Sequence, residues 1–208
     1  MNFRLTSAAV GAVAVLWFAG FAEIRPSQAA EILHIRGMIV SLDGSTLTVK
    51  TREGPTAALA LKSGWKAAGV AAASLGDIKP GDFVGVASLP RAAGGDGAVE
   101  ILVFPAAMKG TGEGSYPWDL KPNSTMTNAT VDNMVTGTDG RTITVKYKDG
   151  EKKIIVPPEA PIVKYVPGNK DALKAGAKIF IVAAVKQPDG TLEAPNVSVG
   201  LNGLTPPM

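Results

Sequence analysis

The chain has 208 residues, of which 46% are hydrophobic and 19% charged, with no cysteine and a single histidine. Without cysteine the protein has no disulfide bond, thiolate metal site or catalytic thiol, and one histidine excludes centres built from several imidazoles. Lysine and arginine exceed aspartate and glutamate only by 21 to 18, so the net charge of +3 gives little reason to expect a nucleic-acid partner.

The first 29 residues have the features of a secretory signal peptide. Arg4 precedes an apolar run over residues 8–22, and Ser27 and Ala29 are the small residues expected at the −3 and −1 positions of a cleavage site. The run is shorter than the ~20 residues that span a bilayer. The sequence therefore predicts a periplasmic or secreted protein with no membrane anchor after cleavage.

An internal repeat is the strongest pattern in the rest of the chain. The eight residues from Asp43 read DGSTLTVK and the eight from Asp139 read DGRTITVK, and seven of these positions are identical or exchange Leu for Ile. Two further pairs of segments match in the same order, namely residues 78–84 with 173–179 and residues 96–100 with 189–193. Three ordered matches indicate two copies of one structural unit.

Each copy is predicted to contain five short strands. Apolar and polar residues alternate after both Asp-Gly pairs, which is typical of half-buried strands that follow a hairpin turn. The strands predicted in the first copy cover residues 38–42, 46–52, 56–61, 83–89 and 99–104. Those predicted in the second copy cover residues 131–136, 142–148, 153–156, 178–185 and 194–200. Five strands in so short a unit favour a small barrel, because closure removes exposed strand edges.

The Ala-rich segment 63–75 of the first copy is predicted to form a short helix between strands 3 and 4. An OB-fold carries its helix at this place in the strand order. In the second copy the same interval contains an extended segment, residues 162–166, and at most one helical turn at residues 170–174. The predicted fold class is therefore all-β, with two tandem five-stranded OB-like barrels and one short helix in the first.

The turns and strands of both copies resemble those of an exported bacterial family of unknown function built from OB-like barrels. The motifs that carry the resemblance include the DGSTLTV hairpin at residues 43–49 and the IKPGD turn at residues 78–82. The resemblance spans residues 35–104 and 129–200. It implies the barrel fold and export, and its motifs describe structure rather than an activity.

The predicted organisation has four parts. Residues 1–29 form the signal peptide, and residues 30–105 form the first barrel. Residues 106–128 form a linker loop rich in Gly, Pro and aromatic residues, and residues 129–208 form the second barrel with a frayed C-terminal tail.

The linker contains the predicted ligand-binding residues, which are Glu113, Tyr116, Trp118 and Asp119. Aromatic rings provide contact area and neighbouring carboxylates orient a polar ligand, so this combination is typical of binding loops. The alternative interpretation is structural, with Trp118 filling the gap between the two barrels.

No convergent catalytic set accompanies these residues, so the sequence favours a non-enzymatic binding or adaptor module of the cell envelope. The expected partner is a small ligand, a glycan or an envelope protein, without a cofactor, a bound metal or nucleic acid. Two alternatives remain open. One is a periplasmic metal-handling protein that uses carboxylates and methionines, and the other is a hydrolase that uses Glu113 and Asp119 as a carboxylate pair.

Overall fold

The computed structural model describes residues 31–137 and 140–208, and this part of the chain is built almost entirely from β-strands. The predicted all-β class is confirmed. The predicted signal peptide lies outside the described residues, as does Asp139 of the second Asp-Gly turn. None of the helices in the described part of the chain has the length and hydrophobicity that crossing a bilayer requires.

The strands are numbered in chain order. The first six are β1 (Ile32–Asp43), β2 (Thr46–Thr51), β3 (Thr56–Ala73), β4 (Phe83–Pro90), β5 (Asp96–Val103) and β6 (Gly114–Trp118). The other six are β7 (Ser124–Gly137), β8 (Gly140–Tyr147), β9 (Gly150–Val156), β10 (Ile162–Pro167), β11 (Lys178–Lys186) and β12 (Leu192–Gly200). Short 3-10 helices lie at Leu75–Asp77, Ala106–Met108, Lys170–Ala172 and Leu201–Gly203.

Five strands form a closed barrel in the order β1, β2, β3, β12, β11 and back to β1. All neighbours are antiparallel except β3 and β12, which are parallel. The alternating apolar residues predicted from the sequence fill the interior, where Leu47, Val49 and Leu59 are fully buried beside Ile181. Strands β1 to β3 come from the first copy, whereas β11 and β12 come from the second.

The other long strands also pair between the two copies. Strands β7, β8 and β9 form an antiparallel meander, and β4 pairs with β7. Strand β5 pairs with β4 and, over two residues, with β9. A second buried cluster, which includes Ile101, Val145 and Ile154, packs on this sheet. The pairing therefore differs from the prediction, in which five consecutive strands form each barrel. Instead, the fourth and fifth strands of each copy pair with strands among the first three of the other copy.

This exchange follows from the length of β3. Its first part pairs with β2 through residues 56–60, and its second part pairs with β12 through residues 66–70 and with β10 through residues 68–73. At ~3.3 Å per residue, a strand of 18 residues extends about 60 Å. Because β10 in turn pairs with β5, β3 links the closed barrel to β5, β4 and β7 within one continuous sheet.

The predicted helix over residues 63–75 is wrong, because β3 continues to Ala73 and only a 3-10 turn follows. The helix preference of alanine over most residues is below ~1 kcal/mol per residue, and backbone pairing on both edges of this segment outweighs it. Small residues also suit this place in the sheet. A Cβ on Gly69 would lie 2.8 Å from Val166 Cγ2 and 3.0 Å from Leu201 Cδ1.

The segment expected to be a linker loop, residues 106–128, contains regular structure. After the 3-10 turn at Ala106–Met108, strand β6 pairs antiparallel with the start of β7, in a register that runs from Gly114 opposite Asn128 to Trp118 opposite Ser124. Strand β6 is therefore held by the sheet that contains β7, and its position is fixed by backbone hydrogen bonds.

Candidate functional site

Tyr116 and Trp118, two of the four predicted ligand-binding residues, lie close together on β6. One residue separates them, so their side chains share one face of the strand, with ring centroids 6.3 Å apart in an edge-to-face arrangement. Trp118 also packs against His34 of β1 and Phe180 of β11, at centroid distances of 4.4 and 6.4 Å. Because β6 pairs with β7, which lies outside the closed barrel, Trp118 packs the strands around β7 against the barrel.

A cavity of about 190 Å³ lies beside these two rings. Tyr116 and Trp118 form part of its wall. Residues from several other strands and from the C-terminus complete the lining, among them Gly85, Phe104, Met126, Asn128, Tyr165, Phe180 and Met208. The wall is therefore mainly aromatic and aliphatic, with a small number of polar groups.

Strand register explains why these side chains meet. Gly85 lies opposite Asn128 on β7 and opposite Leu102 on β5, while Met126 lies opposite Tyr116 on β6. Residues opposite each other on paired strands point to the same face of the sheet. A Cβ on Gly85 would lie 2.7 Å from Asn128 Oδ1, so only glycine leaves room for the Asn128 side chain at this point.

Two residues that line the cavity each have a fully buried polar atom without a hydrogen-bond partner in the described part of the chain, Asn128 Oδ1 and Trp118 Nε1. Asn128 is 8% exposed. Its Nδ2 donates to Tyr116 Oη at 3.0 Å and to the carbonyl oxygen of Thr111 at 3.3 Å, which orients the amide. A buried polar atom without a partner costs ~1–3 kcal/mol.

Asp119, the third predicted residue, forms an ion pair with Arg36 of β1. The guanidinium donates from Nη2 to Oδ1 at 2.7 Å and from Nη1 to Oδ2 at 3.2 Å, and His34 Nδ1 lies 3.0 Å from Oδ2. Burial alone would raise the pKa of Asp119. The hydrogen bond and positive charge of Arg36, followed by those of His34, outweigh burial and hold the pKa below its ordinary value.

Arg36 is itself enclosed by the site. Arg36 is 6% exposed, and its Nε donates to the backbone oxygen of Met208. The guanidinium carbon Cζ lies 4.9 Å from the ring centroid of Phe180 and 5.8 Å from that of Trp118. Cation–π contacts of this kind stabilise a guanidinium that has lost its water. The donors on all three nitrogen atoms of Arg36 are therefore directed at Asp119 and Met208.

Glu113, the fourth predicted residue, is exposed in the turn before β6, where its backbone N–H donates to the carbonyl of Gly110. It does not line the cavity. The structure thus brings Tyr116 and Trp118 together, places Asp119 next to them on Arg36, and leaves Glu113 at the surface. Among the described residues, no group of three or more His, Cys, Asp or Glu side chains is placed to hold a metal ion.

The sequence analysis missed Glu100, a buried acid on β5 near this site. It is 1% exposed, and neither carboxylate oxygen has a hydrogen-bond partner among the described residues. Burial raises the pKa of Glu100 to about 8, and the positive charge of Arg36 opposes this only in part. Burial also raises the pKa of Tyr165 in the cavity wall, and the charge of Glu100 adds to that effect. The sequence signal that could have identified Glu100 is its position as the single acid in the otherwise apolar segment 98–104.

Replacing Asp119 with Asn is expected to lower the free energy of unfolding at pH 7 by about 1–2 kcal/mol, because a bidentate partner of a buried guanidinium is lost. The pKa of Asp119 is lowered in the folded state, so its contribution is present above pH 4 and disappears as the pH falls further. The free energies of unfolding of the two proteins, measured with urea, should therefore approach each other as the pH falls below about 4. The control Asp132→Asn removes the exposed Lys146 pair, whose atoms lie 2.9 Å apart, and should cost less. A constant difference across this pH range would contradict the assignment.

Comparison of the chain with protein-family models, with curated proteins and with solved structures found no match. The function is therefore inferred from the geometry and the lining of the cavity and from the buried charges around it.

Proposed function

We propose that the protein is an exported, non-enzymatic binding module of the bacterial cell envelope that holds a small ligand in the cavity beside Trp118. The observation that carries the proposal is a mainly apolar cavity lined by Tyr116, Trp118 and Phe180, with the oriented amide of Asn128 among the few polar groups of its lining. Ligand sites are typically apolar cavities in which a few polar groups fix the orientation of the bound molecule. The signal-peptide features of residues 1–29 support export.

The proposal includes a finer description of the fold. Strands β4, β5, β7, β8 and β9 form a second barrel, related to the first by the sequence repeat, and both barrels are OB-like. The ring of strand pairs and the buried cluster around Ile101 and Ile143 support this description. The cavity then lies at the seam between the barrels, because its wall combines Met126 of β7 with Phe180 of β11.

A location at this seam has a consequence for stability. A ligand that touches both Met126 of β7 and Phe180 of β11 binds only when these distant strands are both in place, so it stabilises the folded chain against unfolding. Binding of any such compound, whether or not it is the natural ligand, is therefore measurable as a rise in the melting temperature.

A thermal-shift screen of single-ring compounds tests the proposal. We expect several compounds to raise the melting temperature of the purified protein, and Trp118→Ala to weaken their binding by at least about tenfold, because an aromatic wall and a donor are lost. Trp65→Ala is the matched control. It removes the other tryptophan of the described residues, which packs against the closed barrel and lies 4.3 Å from Lys170 Nζ, and it should leave binding unchanged.

Two outcomes would overturn parts of the proposal. If Trp118→Ala binds every compound as tightly as the parent protein, the ligand site is not beside Trp118. If no compound binds the parent protein, the cavity has no small-ligand function.

A further inference from the structure

We infer that the closed barrel carries a second ligand site, a basic cleft that binds the dianionic group of a phosphate monoester. The cleft has a volume of about 450 Å³ and is lined by residues of β1, β2 and β11 and by the C-terminal segment 205–208. None of the acidic residues in the described part of the chain lines it, and its charged lining residues are Arg36, Lys50, Arg52 and Lys178. The cleft shares only Met208 with the cavity beside Trp118, so the inference goes beyond the proposed function.

Strand pairing places two lysines on either side of Met38 on the outer face of the barrel. Lys50 of β2 and Lys178 of β11 both lie opposite this residue of β1. Residues opposite each other on paired strands share a face of the sheet. The residues next to these lysines in the chain, Val49 and Ile179, fill the barrel interior. The two lysines and Met38 therefore project outward.

The two arginines extend this basic surface by one position along the strands. Arg36 lies two residues before Met38 on β1, so its side chain is on the same face. The backbone N–H of Arg52, which follows β2, donates to the carbonyl oxygen of Arg36 at 2.7 Å, and this bond places the two arginines side by side. Like charges at opposite positions of paired strands repel each other. Four basic side chains thus converge on one cleft although their mutual repulsion is unfavourable.

Among the described residues, acidic partners neutralise the arginines of the cleft and not its lysines. Asp119 forms the ion pair with Arg36 described above, and Glu53 Oε1 lies 3.4 Å from Arg52 Nε. Neither lysine of the cleft has an ion pair with a described residue. The four cations and two acids therefore leave an excess of two positive charges at the cleft.

The lysines also have unused hydrogen-bonding capacity. Lys178 is half-buried, and its Nζ donates to Met38 Sδ at 3.4 Å, with no oxygen acceptor among the described residues. A thioether is a weak acceptor, whereas an ammonium group has three donors. Lys50 is exposed on the other side of Met38. An anion bound above Met38 would therefore supply acceptors to both ammonium groups.

The excess of two charges favours a phosphate monoester over a carboxylate. A phosphate monoester carries close to two negative charges at neutral pH and presents three acceptor oxygens. Neighbouring strands are ~4.8 Å apart, so the Cα atoms of Lys50 and Lys178 lie about 10 Å apart across β1. The flexible four-carbon stems of the lysines allow both ammonium groups to reach one anion from this separation. A single carboxylate carries one charge and would leave one lysine unpaired.

The cleft is open to solvent, so the rest of the ligand can remain in water. The C-terminal segment 205–208 forms one wall, and its position is fixed where the backbone oxygen of Met208 accepts from Arg36 Nε. Recognition is therefore confined to the phosphate group. A soluble phosphate ester and a lipid with a phosphate monoester headgroup both offer this group.

Two other clefts on the described part of the molecule differ from the basic cleft in charge. They have volumes of about 730 and 330 Å³, and each is lined by one arginine, Arg141 or Arg91, together with Glu159. The charges of these lining residues balance, so the two clefts offer no comparable attraction for a dianion.

Calorimetric titration with methyl phosphate tests the site. At pH 8 the probe carries two charges, and at low ionic strength exposed charges are least screened. Under these conditions we expect methyl phosphate to bind, and dimethyl phosphate, which carries one charge, to bind at least about tenfold more weakly. Lys50→Gln and Lys178→Gln should each lower the affinity for methyl phosphate about tenfold, as expected for the loss of one charged hydrogen-bond donor.

Lys66→Gln is the matched control for these variants. Lys66 is exposed on β3 and lies outside the cleft, and its substitution changes the net charge by the same amount. This variant should bind methyl phosphate like the parent protein. An equal loss of affinity in all three variants would show that the net charge alone attracts the probe, and it would overturn the inference. Succinate has its two charges on separate carboxylates, and succinate binding as tight as that of methyl phosphate would overturn the phosphate assignment.

A methionine signal locates the bound probe. In protein labelled with ¹³C at the methionine methyl groups, methyl phosphate should shift the NMR signal of Met38, which lies between the two lysines. The signal of Met134, which packs on the second buried cluster, is the internal reference and should not move. A shift of the Met134 signal without a shift of the Met38 signal would place the probe elsewhere and overturn the inference.

Vesicles distinguish the two sources of the phosphate group. Phosphatidate presents a phosphate monoester, whereas phosphatidylglycerol presents a diester with one charge. Sedimentation with phosphatidylcholine vesicles that contain phosphatidate, and its loss in Lys50→Gln, would assign the group to a lipid. Binding of methyl phosphate without such sedimentation would assign it to a soluble ester. Equal sedimentation with both anionic lipids, or no binding of either methyl phosphate or phosphatidate, would overturn the inference.

Discussion

Replacing Glu100 with Gln is expected to raise the free energy of unfolding at pH 9 by up to about 5 kcal/mol and to change it little at pH 4. The carboxyl group is 1% exposed and unpartnered, and its pKa of about 8 exceeds the ordinary value of 4.5. Between these two values the folded protein keeps a proton that the unfolded chain releases. Stability therefore falls as the pH rises from 4.5 to 8, and it stays low above that range.

The size of this effect has an upper limit. The difference between the two pKa values corresponds to about 5 kcal/mol at most. An unpartnered Gln amide replaces a protonated carboxyl group that is equally unpartnered, so this exchange adds little to the difference at either pH. Urea unfolding of both proteins at pH 4, 6, 8 and 9 measures the difference. Glu113→Gln, which changes an exposed carboxylate, should leave the pH dependence of the parent protein intact. Parallel curves for the parent and Glu100→Gln would show that Glu100 ionises normally.

Dividing the chain between Gly110 and Thr111 is expected to abolish folding of each half as a monomer. The interior of the closed barrel combines Leu47 and Leu59 of the first half with Ile181 and Val199 of the second, and all four side chains are buried. Neither half contains a complete set of strands for this barrel. Mixing equal amounts of the two halves should restore the circular dichroism spectrum of the intact protein and give one species of the combined mass.

The control for this experiment is a protease site inserted at the same exposed turn in the intact protein. Cleavage after folding should leave the two fragments associated, because the strand pairs that join them are already formed. A homodimer of one half would be consistent with the exchanged pairing. The two copies are similar in sequence, so strands 4 and 5 of one chain could pair with strands 1 to 3 of an identical chain. A folded monomer of either half would contradict the exchanged pairing.

The strands themselves were largely predictable from local sequence. Strand 4 of the first copy was predicted over residues 83–89 and is found at Phe83–Pro90, because alternation and β-branched residues act within a few residues. The choice of partner was not predictable. Strands 4 of the two copies have similar sequences, so the pattern is the same whether β1 pairs with β4 or, as observed, with β11. Only the length of β3 distinguishes these arrangements, and the Ala-rich segment concealed that length.

The site was predictable to the extent that it is local. Tyr116 and Trp118 were identified because two aromatic residues in a short Gly- and Pro-rich segment are unusual. His34, Arg36 and Phe180 reach Trp118 from β1 and β11, which become neighbours only through the exchange. Local composition therefore assigned Asp119 to a ligand, although the fold places it against Arg36.

The pairing of β1 with β11 also determines when the closed barrel can form during synthesis. Ile32 lies opposite Val185, so β1, β2 and β3 leave the ribosome long before the strands that complete their barrel. Until then their apolar faces and open edges are available to other chains. Contacts between residues so distant in sequence also slow folding. The nascent chain is therefore prone to aggregation for a long part of its synthesis, and a chaperone that binds unfolded chains would protect it during that time.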